Sequence, residues 1–216
     1  MKRTQFLPLL SMIAVLIIVS ACSGSVTTTS NKAVPAITIP SDPTAALVSS
    51  LKAQLALPAY RGNLESQYQG KTNSIIVEYM APDRYRVKND SMEAILIGKV
   101  TYLNINGRWS KMGVDLSGMI SSFRDPKLIE TGISNVKFFG SEQVNGISAS
   151  VYTYTSSADL NGQKMTADAK VWVSQTNNLP MKMEVTGDVS GEKTFSTITY
   201  DYVSKVSIES PYVSSS

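Results

Sequence analysis

Histidine is absent from this chain of 216 residues, and cysteine occurs once. Without an imidazole, the familiar Ser/His and Cys/His nucleophilic systems cannot be assembled, and most zinc sites are excluded with them. A single thiol makes no internal disulfide, which fits an exported protein that folds without cross-links. Carboxylates offer no substitute, because Glu130, Glu142 and Asp168 occur singly and no spacing suggests a pair. Lysines alternate along the predicted strands and read as solvated. No set of residues can be given catalytic roles, so the chain reads as a non-enzyme that needs no cofactor or metal. A strong excess of one charge is also lacking, with 20 basic against 17 acidic side chains. That balance gives no electrostatic footprint for nucleic acid.

The single cysteine sits in an informative place. Met1-Lys2-Arg3 is a short positive start, and Phe6 to Val19 is an almost unbroken apolar run of about fourteen residues. That length suits a signal-peptide core and is short for a membrane span, which needs roughly twenty. Val19-Ser20-Ala21-Cys22 then resembles the bacterial lipobox. The resemblance implies a diacylglycerol thioether on Cys22, cleavage before it, and acylation, typically palmitate, of the new amino terminus. Two or more chains are what stable anchoring takes. An ordinary secretory signal with a chance cysteine is the alternative. Residue 23 is serine, not the aspartate that marks inner-membrane retention in a Gram-negative cell, so plasma and outer membrane stay unresolved. Residues 1–21 are expected to leave as a signal. They take two basic and no acidic residues with them, so the two signs end nearly balanced.

Residues 22–41 are rich in Ser, Thr, Pro and Ala, carry Lys32 as their one charge, and read as a flexible tether. Ser41-Asp42-Pro43 is a helix start. Leu47, Val48, Leu51 and Leu55 follow at helical spacing up to Leu57-Pro58, which predicts an amphipathic helix that must pack on something. From Ala59 the period changes to two. "IIVEYM", "RYRVK", "MEAILIG", "KVTYLNI" and "RWSKM" read as strands, with Asn106-Gly107 as a hairpin turn. "NVKFFGSEQV", "ISASVYTYTSS", "MTADAKVWVSQ", "LPMKMEVTGDV" and "KTFSTITYDYV" follow as long strands. Asn145-Gly146, Asn161-Gly162, Asn177-Asn178 and Gly191 are the turns between them. The order predicts one large antiparallel sheet in meander form. Between the two sets lies an apolar helical insert, Asp115 to Gly132, with Leu116, Met119, Ile120 and Phe123 at helical spacing and a break at Pro126. Residues 42–212 are expected to form one domain, with 213–216 as a tail.

Alternation assigns the strand faces. Leu179, Met181, Met183 and Val185 share one. Ala167, Ala169, Val171 and Val173 share another, and Ile147, Ala149 and Val151 a third. Small and flexible side chains of this kind leave room for an apolar guest. The alternative is ordinary core filled by the helices.

The order "PAYR", "IIVEYMAPDRYRVK", "ILIGKVTYLNINGRWSKM", a helical insert and "KVWVSQTNNLPMKMEV" resembles the lipoprotein-localisation fold. That fold is shared by LolA, LolB and the lipid-anchored LppX/LprG lipoproteins. The resemblance covers about residues 43–211. It implies an α+β, mostly antiparallel fold, a single curled sheet or half-barrel of about eleven strands with helices covering its concave face. It also implies an apolar space that holds acyl chains. The insert becomes a lid, with Met119, Ile120 and Phe123 facing the guest. The lining expected from strand phase is Val77, Tyr85, Val87, Leu96, Val171, Val173, Met181, Met183 and Val185, with Trp109 at one end and Trp172 outside or under a helix. The implied function is binding a lipid, or the acyl chains of a lipoprotein, and moving it in the cell envelope from an extracytoplasmic, membrane-anchored position. The alternative is an RseB-like sensing module that binds an envelope protein. Such regulators usually carry a second domain, and this chain ends soon after its last strand. Tyr152, Tyr154, Tyr200 and Tyr202 would serve as a partner surface in that reading, or otherwise cover a sheet face.

Overall fold

The computed structural model describes residues 41–213 apart from 69, 119–123, 125, 161–162 and 190–191. Cys22, the proposed signal and nearly all of the tether lie outside the described residues. So do Met119, Ile120 and Phe123 and the Asn161-Gly162 turn.

Asp42 and Pro43 start the first helix as their chemistry requires. The Asp42 Oδ2 atom accepts a 2.7 Å hydrogen bond from the Ala45 amide, and Pro43 fills the first turn of α1 (Pro43–Leu55). Strands follow as β1 (Ala59–Tyr68), β2 (Lys71–Met80), β3 (Arg84–Lys88), β4 (Met92–Ile97), β5 (Val100–Ile105) and β6 (Arg108–Met112). The insert contains a second helix, α2 (Pro126–Gly132). Then come β7 (Ile133–Val144), β8 (Ile147–Leu160), β9 (Gln163–Ser174), β10 (Pro180–Val189) and β11 (Glu192–Asp201).

All eleven strands form one open, curled antiparallel sheet in the order β6-β5-β4-β3-β2-β1-β11-β10-β9-β8-β7. Two meanders are thus stitched together where β1 pairs with β11, with Leu64 opposite Ile198. Two predicted turns have the geometry that hairpins prefer. Asn106 and Gly107 have φ of 53° and 81°, and Asn145 and Gly146 have φ of 49° and 79°. Left-handed backbone at both central positions matches the twist of the flanking strands, and Asn-Gly tolerates it best.

The topology fixes where the insert must go. β6 and β7 are consecutive in the chain yet lie at opposite edges of the sheet. The chain therefore has to pass from one edge to the other between Met112 and Ile133.

Alternation separates two faces. One carries α1 and the main core, in which Leu47, Leu51 and Leu55 of the helix meet Leu64, Ile75, Tyr154, Val171, Met183 and Ile198 of the sheet. We call this the concave face. The convex face carries two smaller clusters. In one, Ala149, Val151 and Trp172 pack together. In the other, Val206 and Ile208 of the C-terminal segment cover Ile95, with Trp109 beside them. Arg84 holds that segment by donating from Nη1 to the Ile208 carbonyl at 2.7 Å. Also on this face, the buried Glu78 carboxylate accepts from Arg61 at 2.6 Å and from Arg86 at 2.9 Å.

The β7 edge is irregular. Its pairing with β8 shifts register between Ser134 and Lys137 and again between Phe138 and Gly140. Among the described residues, no helix is long and apolar enough to cross a membrane.

Candidate functional site on the helix-bearing face

The concave face has two halves of different character. The half built from β8 to β11 is apolar and filled. Val171, Val173, Met183 and Val185 are 0 to 5 % exposed and share one core cluster with the buried stripe of α1. Val77 and Val87 pack at its margin. Six of the nine predicted lining residues are therefore brought together in or against one core cluster that includes the buried stripe of α1. This is the packing expected of core residues, and α1 is the element that occupies the face.

Met181 is elsewhere. Pro180 pairs with Val173 and Lys182 with Trp172, so Met181 is the extra residue of a β-bulge. A bulge re-aims the side chains after it. Met181 packs with Ala149, Val151 and Trp172 on the convex face, away from Met183. Strict alternation through "LPMKMEV" is corrected accordingly. Ala149 and Val151 also belong to the convex side, whereas Tyr152 and Tyr154 point into the main core. Trp109 packs against the convex cluster at Ile208 and closes no end of the concave space. Trp172 lies outside as expected, where its Nε1 donates to Glu142 at 2.7 Å. That bond, with a second from Lys170, holds the Glu142 carboxyl below its ordinary pKa.

Tyr85 and Leu96 lie in the other half, built from β1 to β5, where they sit opposite each other across the β3–β4 pair. This half is aromatic and polar. Tyr60, Tyr79 and Tyr85 form a row, with ring centres 5.5 Å and 5.2 Å apart. Tyr202 and Tyr200 continue it at 6.4 Å and 6.1 Å. Into this row comes Arg124 of the insert, only 7 % exposed. Its guanidinium carbon lies 3.4 Å from the centre of the Tyr79 ring, and its Nη2 donates to the Leu55 carbonyl at the end of α1. A cation at a helix C-terminus is favourable, and so is one over an aromatic face. Burial raises the hydroxyl pKa of Tyr60, Tyr79, Tyr85, Tyr200 and Tyr202. These phenols therefore stay protonated at physiological pH, with the Tyr79 hydroxyl donating to the Pro82 carbonyl at 3.4 Å and that of Tyr202 to the Pro180 carbonyl at 2.6 Å.

Sequence reasoning missed Arg124. The signal was spacing: Ile120 and Arg124 are four residues apart, so the arginine continues the face on which the insert's apolar residues were placed.

An open depression of about 380 Å³ lies between strands on the convex face, lined among others by Lys137, Asp168, Lys170, Glu184 and Phe195. Its charges of both signs are wrong for an acyl chain, and the concave face is the better candidate. Among the described residues, no group of three or more acidic or thiol side chains is placed to hold a metal ion.

No protein-family model matches the chain, and no curated protein matches it by sequence. Solved structures do. The lipoprotein LppX of Mycobacterium tuberculosis superposes with a TM-score of 0.53 at 16 % identity, covering 76 % of this chain and 98 % of that one. LprF of Mycobacterium bovis superposes with a TM-score of 0.51 at 12 % identity, covering 79 % and 93 %. The chain therefore has the LppX-type lipoprotein fold, built as a single open, curled antiparallel sheet with helices on one face.

Proposed function

We propose that the chain is a bacterial lipoprotein that binds acyl chains on the concave side of its sheet and carries them in the cell envelope. Residues 1–21 would be removed as a signal, Cys22 would carry the lipid anchor, and residues up to 41 would tether the domain. The fold likeness to LppX and LprF, spanning nearly all of both, is the observation that carries this reading. The connectivity agrees with it. Both described helices, α1 and α2, pack on an apolar face, so displacing them would open a space without breaking the sheet. Burying a chain yields about 0.8 kcal/mol per methylene before costs. Binding of this kind needs no catalytic group, and the mechanism is burial followed by release at an acceptor.

A second reading, protein binding in the envelope, has one observation in its favour. Phe138 and Phe139 on the β7 edge are 53 % and 65 % exposed. Exposed aromatics on a sheet edge suit a protein partner.

The deciding experiment uses the full chain expressed in a bacterial host and taken from its membranes in mild detergent. Native mass spectrometry would report any bound lipid, and peptide mass analysis the amino terminus. We expect a terminus at Cys22 bearing acyl mass, plus noncovalent lipid near one per chain. A lipidated, folded protein with no guest would favour the protein-binding reading. An unmodified Cys22 would overturn the anchor.

A further inference from the structure

Arg124 is a buried cation that forms no ion pair with a carboxylate among the described residues. One of its amines is used by the Leu55 carbonyl and its flat face by Tyr79. The other amine, Nη1, is buried with no hydrogen-bond partner. No carboxylate among the described residues lies within ion-pair distance of it. Asp83, on the turn before β3, is the acid that acts on Tyr79 and Tyr85, and it is exposed to solvent.

The same face holds other buried polar atoms without partners. They are Ser50 Oγ and Gln54 Oε1 on α1, Thr101 Oγ1 on β5, and the Tyr200 hydroxyl on β11. Thr101 is directly opposite Leu96. Tyr200 is opposite Gly62, and its ring packs 3.8 Å from where a β-carbon on that glycine would stand. Buried polar groups are nearly always satisfied, so the orphaned Arg124 Nη1, on a face with further orphans, points to a polar occupant. Water satisfies hydroxyls and amides, but a guanidinium out of solvent also needs charge compensation. Carbonyls and ring faces compensate only in part.

We propose that Arg124, with the phenols of Tyr60, Tyr79 and Tyr85 around it, binds the anionic head of the guest lipid, a phosphate or a carboxylate. The site rests on the reading of the chain as an acyl-chain binder and narrows it to anionic amphiphiles. Arginine suits the task because its fork matches the planar oxygens of either anion. The tail extends from there towards the apolar half, under α1. Because Arg124 also bonds the end of α1, the group that reads the head is fixed to the element covering the tail.

The test compares a fluorescent long-chain fatty acid with its methyl ester, which has the same chain and no charge. Both are titrated into the full chain in mild detergent at a pH where the acid is ionised. The acid should bind about tenfold tighter or more, the scale of one charge-assisted hydrogen bond. Arg124→Gln should remove that difference, so that acid and ester bind with equal affinity. Equal binding of acid and ester by the native chain overturns the head-group site and leaves lipid binding standing. Failure of both to bind overturns the acyl-chain reading itself, and the head-group site falls with it. Inorganic phosphate is the third arm. If it raises the unfolding temperature while neither lipid binds, the site takes a free anion and not a lipid. The native chain alone distinguishes these outcomes, so the conclusion does not depend on whether the variant folds.

Discussion

Gln54 of α1 donates from Nε2 to the hydroxyl of Tyr202 at 2.8 Å, and the same hydroxyl donates to the Pro180 carbonyl at 2.6 Å. One phenol thus joins the covering helix to the start of β10, beside the bulge. Tyr202→Phe breaks both bonds and leaves buried polar atoms unpaired. We expect a loss of about 1–3 kcal/mol. In urea the midpoint should fall with an unchanged slope, as for a change in stability alone.

Gly132 ends α2 where the chain turns into β7. A β-carbon there would stand 2.9 Å from the Ser157 carbonyl oxygen, which belongs to the neighbouring strand's backbone and cannot step aside cheaply. Gly132→Ala should cost about 1–3 kcal/mol, the range for overpacking. Gly113→Ala, where nothing lies within 4 Å, is the control and should stay within about 0.5 kcal/mol. Thermal unfolding of the two variants side by side gives the comparison.

Glu78 is a buried carboxylate serving two arginines that each keep a quarter or more of their side-chain surface in water, 29 % for Arg61 and 26 % for Arg86. Glu78→Gln leaves both cations without their shared partner. Breaking a fully buried pair costs about 3–5 kcal/mol, and solvent access to the arginines lowers the expectation to about 1–3. Denaturant titration at low and high salt should show the loss shrinking with salt.

Met181 and Met183 separate the two faces. Met183→Lys places an ammonium in a site with 0 % exposure against α1, and we expect the protein to unfold or lose all bound lipid. Met181→Lys sits on the convex cluster, partly open to water, and should keep both fold and lipid. Circular dichroism together with lipid extraction would separate the two. Equal damage from both would place Met181 against the guest after all.

Alkaline pH should destabilise the fold. Burial pushes the Tyr85 hydroxyl up from 10.0 to about 12, opposed in part by Arg124, and several neighbouring phenols move the same way. Unfolded tyrosines release their protons near 10 while the folded ones keep theirs. The unfolded state then binds fewer protons, so stability falls as pH rises. It should be flat through neutrality and drop between about pH 10 and 12. Tyrosinate absorbance and an independent unfolding probe should then change together. Absorbance that rises fully near pH 10 in a folded protein would contradict the buried row.

Much of the fold could be read from local chemistry. Asp42-Pro43 and the two Asn-Gly turns specify their backbone by themselves, because each satisfies a steric or hydrogen-bond requirement within a few residues. Face assignment also held while alternation was unbroken, as along Ala167 to Val173. It failed at Met181, since a bulge depends on the register of the partner strand and leaves no local mark. The convex covering by Val206 and Ile208 was equally hidden. Two apolar residues in a short polar tail have no period, and only the open back of β4 gives them a place to go. Arg124 was passed over because a charged residue beside an apolar stripe ordinarily reads as its solvated rim.

The ragged margin at β7 has a consequence for how many copies can live side by side. An open sheet offers its unpaired amides and carbonyls to the next copy like an unfinished hem. Here Asn135 and Gly140 have positive φ, two register shifts break the row, and Lys137 sits between them. The opposite margin, β6, is five residues long and carries Arg108 and Lys111. Short, charged or kinked margins are how open sheets resist zipping together. The sheet that never closes on itself therefore keeps both of its borders unfit for polymer growth.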